Sequence, residues 1–244
     1  AQQAGFTGIE LRCESDRSFD DRHAEVAAAA AAGVVMPTVC IDLLESLDPF
    51  NMERTRDAVR QMRSQLSMIA AAGATTTITP ISYGQPSGRQ SPVEEGNGPA
   101  DERRILLDVV AELAEHAQRE GVVLALEPLN RYENHLINTL GDAVALCKEI
   151  GLPSVRVAAD TYHMNIEEAD PAGALLSAAP WLGHVQLSDS NGLEPGRGHL
   201  DWSLLLGTLN AVGYPGWLAL ECGLSGDATD LLQRSVSLVR AAAS

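Results

Sequence analysis

Basic residues are scarce in this chain of 244 residues, which has 17 Lys and Arg against 33 Asp and Glu and a formal net charge of −16. Proteins that bind a nucleic-acid backbone need a basic surface, because they must neutralise phosphates. The acidic balance therefore excludes nucleic acid as an expected partner. It does not identify a substrate, since excess acid is often only a solvated surface.

Paired cysteines and long apolar runs are also missing. The four cysteines form no CxxC pair, which is typical of reduced thiols in a cytoplasmic protein. No apolar run approaches the roughly 18 residues of a membrane span, and no signal-peptide pattern is present. These absences predict a cytoplasmic protein without a membrane partner.

The chain does have ample aliphatic material for a core, with 45% hydrophobic residues. Short apolar runs alternate with amphipathic stretches, and the pattern predicts seven strands, each followed by a helix. The strands lie near residues 8–12, 34–41, 75–82, 122–127, 155–161, 183–188 and 216–222. Alternating βα units favour a parallel sheet, and polar residues at the strand ends favour an α/β (β/α)8 TIM barrel over an open sheet.

Three further expectations follow for the organisation of the chain. Residues 1–244 are expected to form a single TIM-barrel domain, because the alternation does not change along the sequence. An eighth strand is expected before residue 1, since seven strands would leave open edges. The stretch 83–100 is dense in Gly, Pro and Ser and is interpreted as a loop over the barrel mouth.

Helix ends are marked by residues that cap them. Six N-terminal signals are expected: Asp20 or Asp21, Asn51, Asp101, a Thr139–Asp142 capping box, Asp170 with Pro171, and Asp201.

Three predicted strands end in the same order of alanine, spacer and carboxylate. Side chains alternate along a strand, so each acid lies on the face of its alanine. A carboxylate at the end of a buried strand is costly unless a cation meets it. The pattern predicts that Glu127, Asp160 and Glu221 surround a divalent metal ion at the barrel mouth. A structural network remains the alternative, with these acids paired to Arg131, Arg156 and Arg197.

The strand near 183–188 offers a fourth ligand. His184, Gln186 and Ser188 share one face. Because His184 takes the place of the alanines on the other strands, Gln186 is expected level with the acids and His184 one layer deeper. Three carboxylates and an amide oxygen form an all-oxygen site suited to Mg²⁺ or Mn²⁺.

Two groups of residues are expected to have structural roles. Glu10 is expected to face the barrel interior and to pair with Arg156, with a substrate contact as the alternative. Cys40 and Cys222 are interpreted as packing residues.

Five segments occur in an order that resembles the xylose isomerase-like TIM barrels. They are EPLNRYE (127–133), DTYHM (160–164), HVQLSDSN (184–191), PGRG (195–198) and the strand ending at Glu221. These segments are similar to those of the sugar isomerase and epimerase branch, which includes D-tagatose 3-epimerase and hydroxypyruvate isomerase. Gln186 stands where the epimerases usually have histidine and is similar to the hydroxypyruvate isomerase pattern. Gly192 stands where the 3-epimerases have arginine.

The resemblance implies one divalent ion, Mn²⁺ or Mg²⁺, and a set of site residues. The implied metal ligands are Glu127, Asp160, Gln186 and Glu221. It also implies substrate contacts from Glu133 and His163. We further expect substrate contacts from Asn191, which ends the HVQLSDSN segment, and from His199, which follows PGRG and can reach the barrel mouth.

Acids on opposite sides of a metal suit proton transfer at a carbon beside a carbonyl. We predict a metal-dependent isomerase or epimerase of a small keto sugar or hydroxy-keto acid, acting through a metal-stabilised enediolate. Glu127 and Glu221 would exchange the proton. Alternatives are a metal-dependent lyase or dehydratase on a similar substrate and an endonuclease IV-like phosphodiesterase. A homo-oligomer also stays open.

Overall fold

The computed structural model describes residues 1–13, 19–41, 52–80, 99–134 and 136–242, and all strands of these ranges form one parallel sheet. Neighbours in the sheet are neighbours along the chain. The seven strands are β1 Glu10–Cys13, β2 Thr38–Ile41, β3 Thr76–Pro80, β4 Val123–Glu127, β5 Val155–Asp160, β6 Leu182–Leu187 and β7 Leu218–Leu220. The sheet curls into a nearly closed barrel, which confirms the predicted TIM-barrel class.

Helices follow the strands throughout the described ranges. They are α1 Phe19–Ala31, α2 Met52–Ala71, α3 Pro99–Glu120, α4 Leu140–Ile150, α5 Thr161–Glu167, α6 Pro171–Ala178, α7 Trp202–Ala211 and α8 Ala228–Ala242. Short 3₁₀ helices span Gln2–Ala4 and Ala179–Trp181. Helix α5 was not expected, because a seven-residue helix directly after a strand leaves little periodicity to read. None of the helices described here is long and apolar enough to cross a membrane.

The capping predictions are confirmed in the second half of the chain. Thr139 and Asp142 form a reciprocal capping box at the start of α4. Asp170 caps α6 and Asp201 caps α7, each through its side chain.

In the first half of the chain two capping predictions are wrong. Helix α1 begins at Phe19, so the Asp20 and Asp21 positions lie inside it. Helix α3 begins at Pro99, two residues before Asp101, because proline fits the first turn of a helix without losing a hydrogen bond. The Asn51 cap and residues 83–98 of the loop expected at 83–100 lie outside the described residues. Pro99 and Ala100, which were expected in that loop, belong to α3.

The core has an outer and an inner part. The outer part packs the helices against the sheet. The inner part lies within the barrel and consists of Cys40, Ile78, Ala125 and Ala158. Because two of these four are alanines, the barrel keeps space above them for polar side chains at the carboxyl ends of the strands. Cys40 packs in this layer, as predicted.

Candidate active site

Three carboxylates meet at the carboxyl end of the barrel. Glu127 ends β4, Asp160 ends β5 and Glu221 directly follows β7. One ligand oxygen of each acid lies within 4.8 Å of the others. The acids line a cavity of about 390 Å³, which is in the range of small-molecule sites. The predicted convergence of these acids is therefore present.

Asp160 is held by the helix that it starts. Its Oδ1 accepts hydrogen bonds from the backbone N–H groups of Tyr162 at 2.7 Å and His163 at 2.9 Å. Burial, together with the charges of Glu221 and Glu133, raises the pKa of Asp160 to about 7 against the opposing effect of the two N–H bonds. A cation between the acids would reverse this penalty.

His163 presents one ring nitrogen to the same cavity. Its Nδ1 accepts a hydrogen bond from the backbone N–H of Asn130 at 3.1 Å and lies 2.9 Å from the Asn130 amide nitrogen. A neutral ring therefore carries its proton on Nε2, which lies 3.7 Å from Glu127 Oε1. Burial lowers the pKa of His163, which favours the neutral ring. His163 can thus donate a hydrogen bond to an oxygen in the cavity.

Gln186 is fully buried and lies level with Asp160 in the β5–β6 register. Its Nε2 donates to Glu10 Oε1 at 2.9 Å, while its Oε1 has no hydrogen-bond partner among the described residues. A buried acceptor without a donor is costly, and a cation would satisfy it. Three carboxylates and this amide oxygen are hard ligands, so the residues fit Mg²⁺ or Mn²⁺.

The pairing of residues across neighbouring strands shows which of the predicted site residues lie at the same level of the barrel. Gln186 pairs with Asp160 across β5 and β6, and His184 pairs with Ala158, two residues deeper. On β7, however, Ala219 rather than Glu221 pairs with Gln186. Strands of a closed barrel are staggered, which places Glu221 two positions further toward the mouth in the hydrogen-bonding register.

The predicted pairing of Glu10 with Arg156 is wrong. Glu10 instead accepts a hydrogen bond from Thr38, and its carboxylate lies 2.8 Å from His184 Nε2. Arg156 donates to the carbonyl of Val155 and extends over the Trp181 ring. Glu10 thus belongs to a polar cluster inside the barrel, because the β6 side chains at its level are polar.

The sequence relationships agree with this geometry. The model of the family described as xylose isomerase-like TIM barrel matches residues 1–242. The chain belongs to the xylose isomerase-like TIM barrel family. The resemblance drawn from the sequence segments is thereby confirmed.

Several relatives of this chain are named as sugar epimerases. A 3-dehydro-D-guloside 4-epimerase of Escherichia coli is 32% identical over 220 residues, which cover 90% of this chain and 83% of the relative. A D-psicose 3-epimerase of Agrobacterium fabrum is 33% identical over 158 residues, or 65% of this chain and 51% of the relative. The crystal structure of a 3-keto-D-glucoside 4-epimerase from E. coli superposes with a TM-score of 0.87 at 32% identity, covering 98% of this chain and 91% of that one.

Two of the substrate contacts expected for this family member reach the cavity and two do not. Glu133 and His163 line it. Asn191 is bound within the loop after β6, where its side chain donates to the Arg197 carbonyl. His199 Nδ1 lies 2.9 Å from Ser190 Oγ in the same loop. Neither is among the lining residues that the structure describes, and their substrate roles stay predictions.

The sequence interpretation missed Arg12. Its Nη1 lies 3.4 Å from Glu221 Oε1, and its side chain lines the cavity. The available signal was its place two residues after Glu10, on the same face of β1. Arg131, one of the three arginines of the network alternative, pairs instead with Glu167 through two hydrogen bonds.

Proposed function

We propose that this protein is a divalent-metal-dependent epimerase of a keto sugar. The meeting of Glu127, Asp160 and Glu221 at the barrel mouth carries the proposal. An all-oxygen set of this kind suits Mn²⁺ or Mg²⁺, with Gln186 as the fourth ligand. Three of the proposed ligands lie on β4, β5 and β6, and the fourth, Glu221, directly follows β7. The barrel therefore fixes their mutual positions.

The names of the relatives support a shared type of reaction. A 3-keto-D-glucoside 4-epimerase and a D-psicose 3-epimerase both invert a carbon next to a ketone, at position 4 beside C3 and at position 3 beside C2. Hydrogen at such a carbon is acidic, because its removal gives an enediolate. We infer that the substrate of this chain carries a hydroxyl-bearing carbon beside a ketone.

The side chains of the cavity supply the proton transfer. When bound, the divalent ion acts as a Lewis acid on adjacent oxygens of the substrate. Glu127 and Glu221 lie on strands β4 and β7, which are not neighbours, so they can flank a substrate. One removes the proton and the other delivers a proton to the opposite face, which inverts the carbon. His163 Nε2–H and Glu133, which line the cavity, would bind substrate hydroxyls.

The test is proton exchange in D₂O. Chelator-treated protein is supplied with Mn²⁺ and incubated with ketoses, 3-keto glycosides and hydroxy-keto acids, and deuterium uptake is read by NMR. We expect uptake at the inverted carbon of a keto sugar, dependent on added metal. Uptake only with hydroxy-keto acids would favour the isomerase alternative, and loss of a β-substituent would favour the dehydratase. No uptake in any class by metal-loaded protein would contradict the proposal.

A further inference from the structure

A polar cluster lies inside the barrel and extends from the level of Asp160 to one layer deeper. It consists of Glu10 on β1, Thr38 on β2, and His184 and Gln186 on β6, and we call it the floor cluster. Thr38 Oγ1 donates to Glu10 Oε2 at 2.6 Å, and Gln186 Nε2 donates to Glu10 Oε1 at 2.9 Å. His184 and Gln186 are fully buried. Such a cluster is costly to desolvate, and the proton transfer proposed above does not use it.

The chemistry of Glu10 fixes the orientation of the Gln186 amide. An ionised carboxylate only accepts hydrogen bonds, so the Gln186 atom that faces Glu10 must be the NH₂ group. Thr38 Oγ1 donates to the other carboxylate oxygen of Glu10, which also lies 2.8 Å from His184 Nε2. The amide oxygen of Gln186 is then the atom that remains without a partner among the described residues.

The position of Glu10 determines where that oxygen points. Glu10 precedes Arg12 by two residues on the same face of β1, and Arg12 lines the cavity at the mouth. The Glu10 carboxylate also lies 2.8 Å from His184 Nε2, and His184 is two residues deeper than Gln186 on β6. Glu10 therefore lies on the deep side of Gln186. Because amide nitrogen and oxygen diverge from one carbon, a nitrogen fixed on the deep side directs the oxygen toward the acids above.

We propose that Glu10 is a positioning residue for the metal site, holding the amide of Gln186 so that its oxygen serves as a ligand. The inference rests on the proposed metal-dependent function. A group that orients a ligand typically changes metal affinity by about 10- to 100-fold when it is removed.

The test measures Mn²⁺ affinity by calorimetry for wild type, Glu10→Met, Gln186→Leu and the double variant. We expect Glu10→Met to bind about 10- to 100-fold more weakly than wild type. In the Gln186→Leu background the same change should have little further effect, because the ligand that Glu10 orients is absent. A residue that only stabilises the fold would weaken both backgrounds equally, and that result would overturn the inference.

Three further variants test whether weaker metal binding arises merely from a loss of folding. Glu10→Gln keeps an oxygen that can accept from Gln186, but its amide can also donate and no longer fixes which end of Gln186 faces it, so its Mn²⁺ affinity should lie between those of Glu10→Met and wild type. Thr38→Val removes the hydroxyl that holds Glu10. Thr77→Val removes another buried strand hydroxyl, one that donates to the Val39 carbonyl at 3.1 Å. We expect weaker Mn²⁺ binding in Thr38→Val than in Thr77→Val, and equal affinities would count against the inference.

The failure of this inference and that of the proposed function are distinguishable. If wild type binds no Mn²⁺, the metal-dependent function itself is wrong. If wild type binds Mn²⁺ and Glu10→Met binds it equally well, only the positioning role is wrong.

Discussion

Glu127 and Glu221 occupy different surroundings although both are proposed to move protons. Glu127 is 4% exposed and lies beside His163. The Glu221 side chain is 32% exposed and contacts Arg12. A buried carboxylate beside a neutral imidazole and a more exposed one beside a guanidinium are unequal bases. This inequality suits a pair in which one acid removes the proton and the other returns it.

The two-base arrangement predicts different partial reactions. Glu127→Gln and Glu221→Gln should each abolish epimerisation while keeping some metal, since an amide retains one ligating oxygen. For a substrate of one configuration, only the carboxylate that faces its C–H bond can exchange that proton with solvent. One variant should therefore incorporate deuterium without forming product, and the other should do neither. Complete loss of exchange in both variants with metal retained would contradict two independent bases.

Individual site residues could be predicted from the sequence where several strands repeat the same pattern. The repeated order of alanine, spacer and acid predicted Glu127, Asp160 and Glu221 correctly as a group. Arg12 and the partners of Glu10 could not be predicted. Within the described residues β1 pairs with β2, whereas Glu10 accepts a hydrogen bond from Gln186 on β6, 176 residues away. Contacts that depend on barrel curvature leave no local signal.

The loop between β6 and α7 is organised by one buried carboxylate. Asp189 accepts hydrogen bonds from the backbone N–H of Ser190, Gly196 and Leu200 and from Trp202 Nε1. Burial alone would raise the pKa of Asp189, but these bonds hold it at about 2. The loop carries Gly192 to the cavity wall, so Asp189 links the stability of this element to the shape of the site.

Replacing this carboxylate should destabilise the protein in a pH-dependent way. Asp189→Asn replaces one carboxylate oxygen with NH₂, so two of the four donors named above lose their acceptor, and it should lower the free energy of unfolding by roughly 1–3 kcal/mol at pH 7. Because the folded-state pKa lies below the ordinary value of 3.8, the advantage of aspartate is fully present above about pH 4 and decreases as pH falls toward 2. Urea unfolding at several pH values measures it.

The control for this change is Asp201→Asn. Asp201 caps α7 by accepting from the Leu204 N–H, and asparagine caps a helix about as well as aspartate. A loss in Asp189→Asn no larger than that in Asp201→Asn would contradict the organising role of Asp189.

Helix and strand boundaries were predictable where a capping side chain determines them. The Thr139–Asp142 box and Asp170–Pro171 are strong local signals, and both are confirmed. Helix α5 was missed because Asp160 serves two purposes, ending β5 and capping the next helix. Asp160 was interpreted as a metal ligand, so it was not also recognised as the N-cap of a helix.

At the scale of the whole molecule, regular alternation of apolar runs and amphipathic stretches was sufficient to predict a parallel barrel. The stagger between strands was not predictable, since it depends on how the sheet closes. That stagger decides which side chains share a level, and it separates Glu221 from Gln186 in the β6–β7 register. The assignment of residues 1–244 to one domain stays a prediction.

The account depends on one divalent ion held by the acids at the barrel mouth, and a calorimetric titration of chelator-treated protein with Mn²⁺ tests this directly. We expect one ion per chain in wild type and no measurable binding in Asp160→Ala. The control is Asp170→Ala, which also removes an aspartate that caps a helix. Asp170 lies at the start of α6, where it accepts from the Gly173 N–H at 3.0 Å. The Asp170→Ala protein should bind one ion, as wild type does. Absence of binding in wild type, or undiminished binding in Asp160→Ala, would contradict the account.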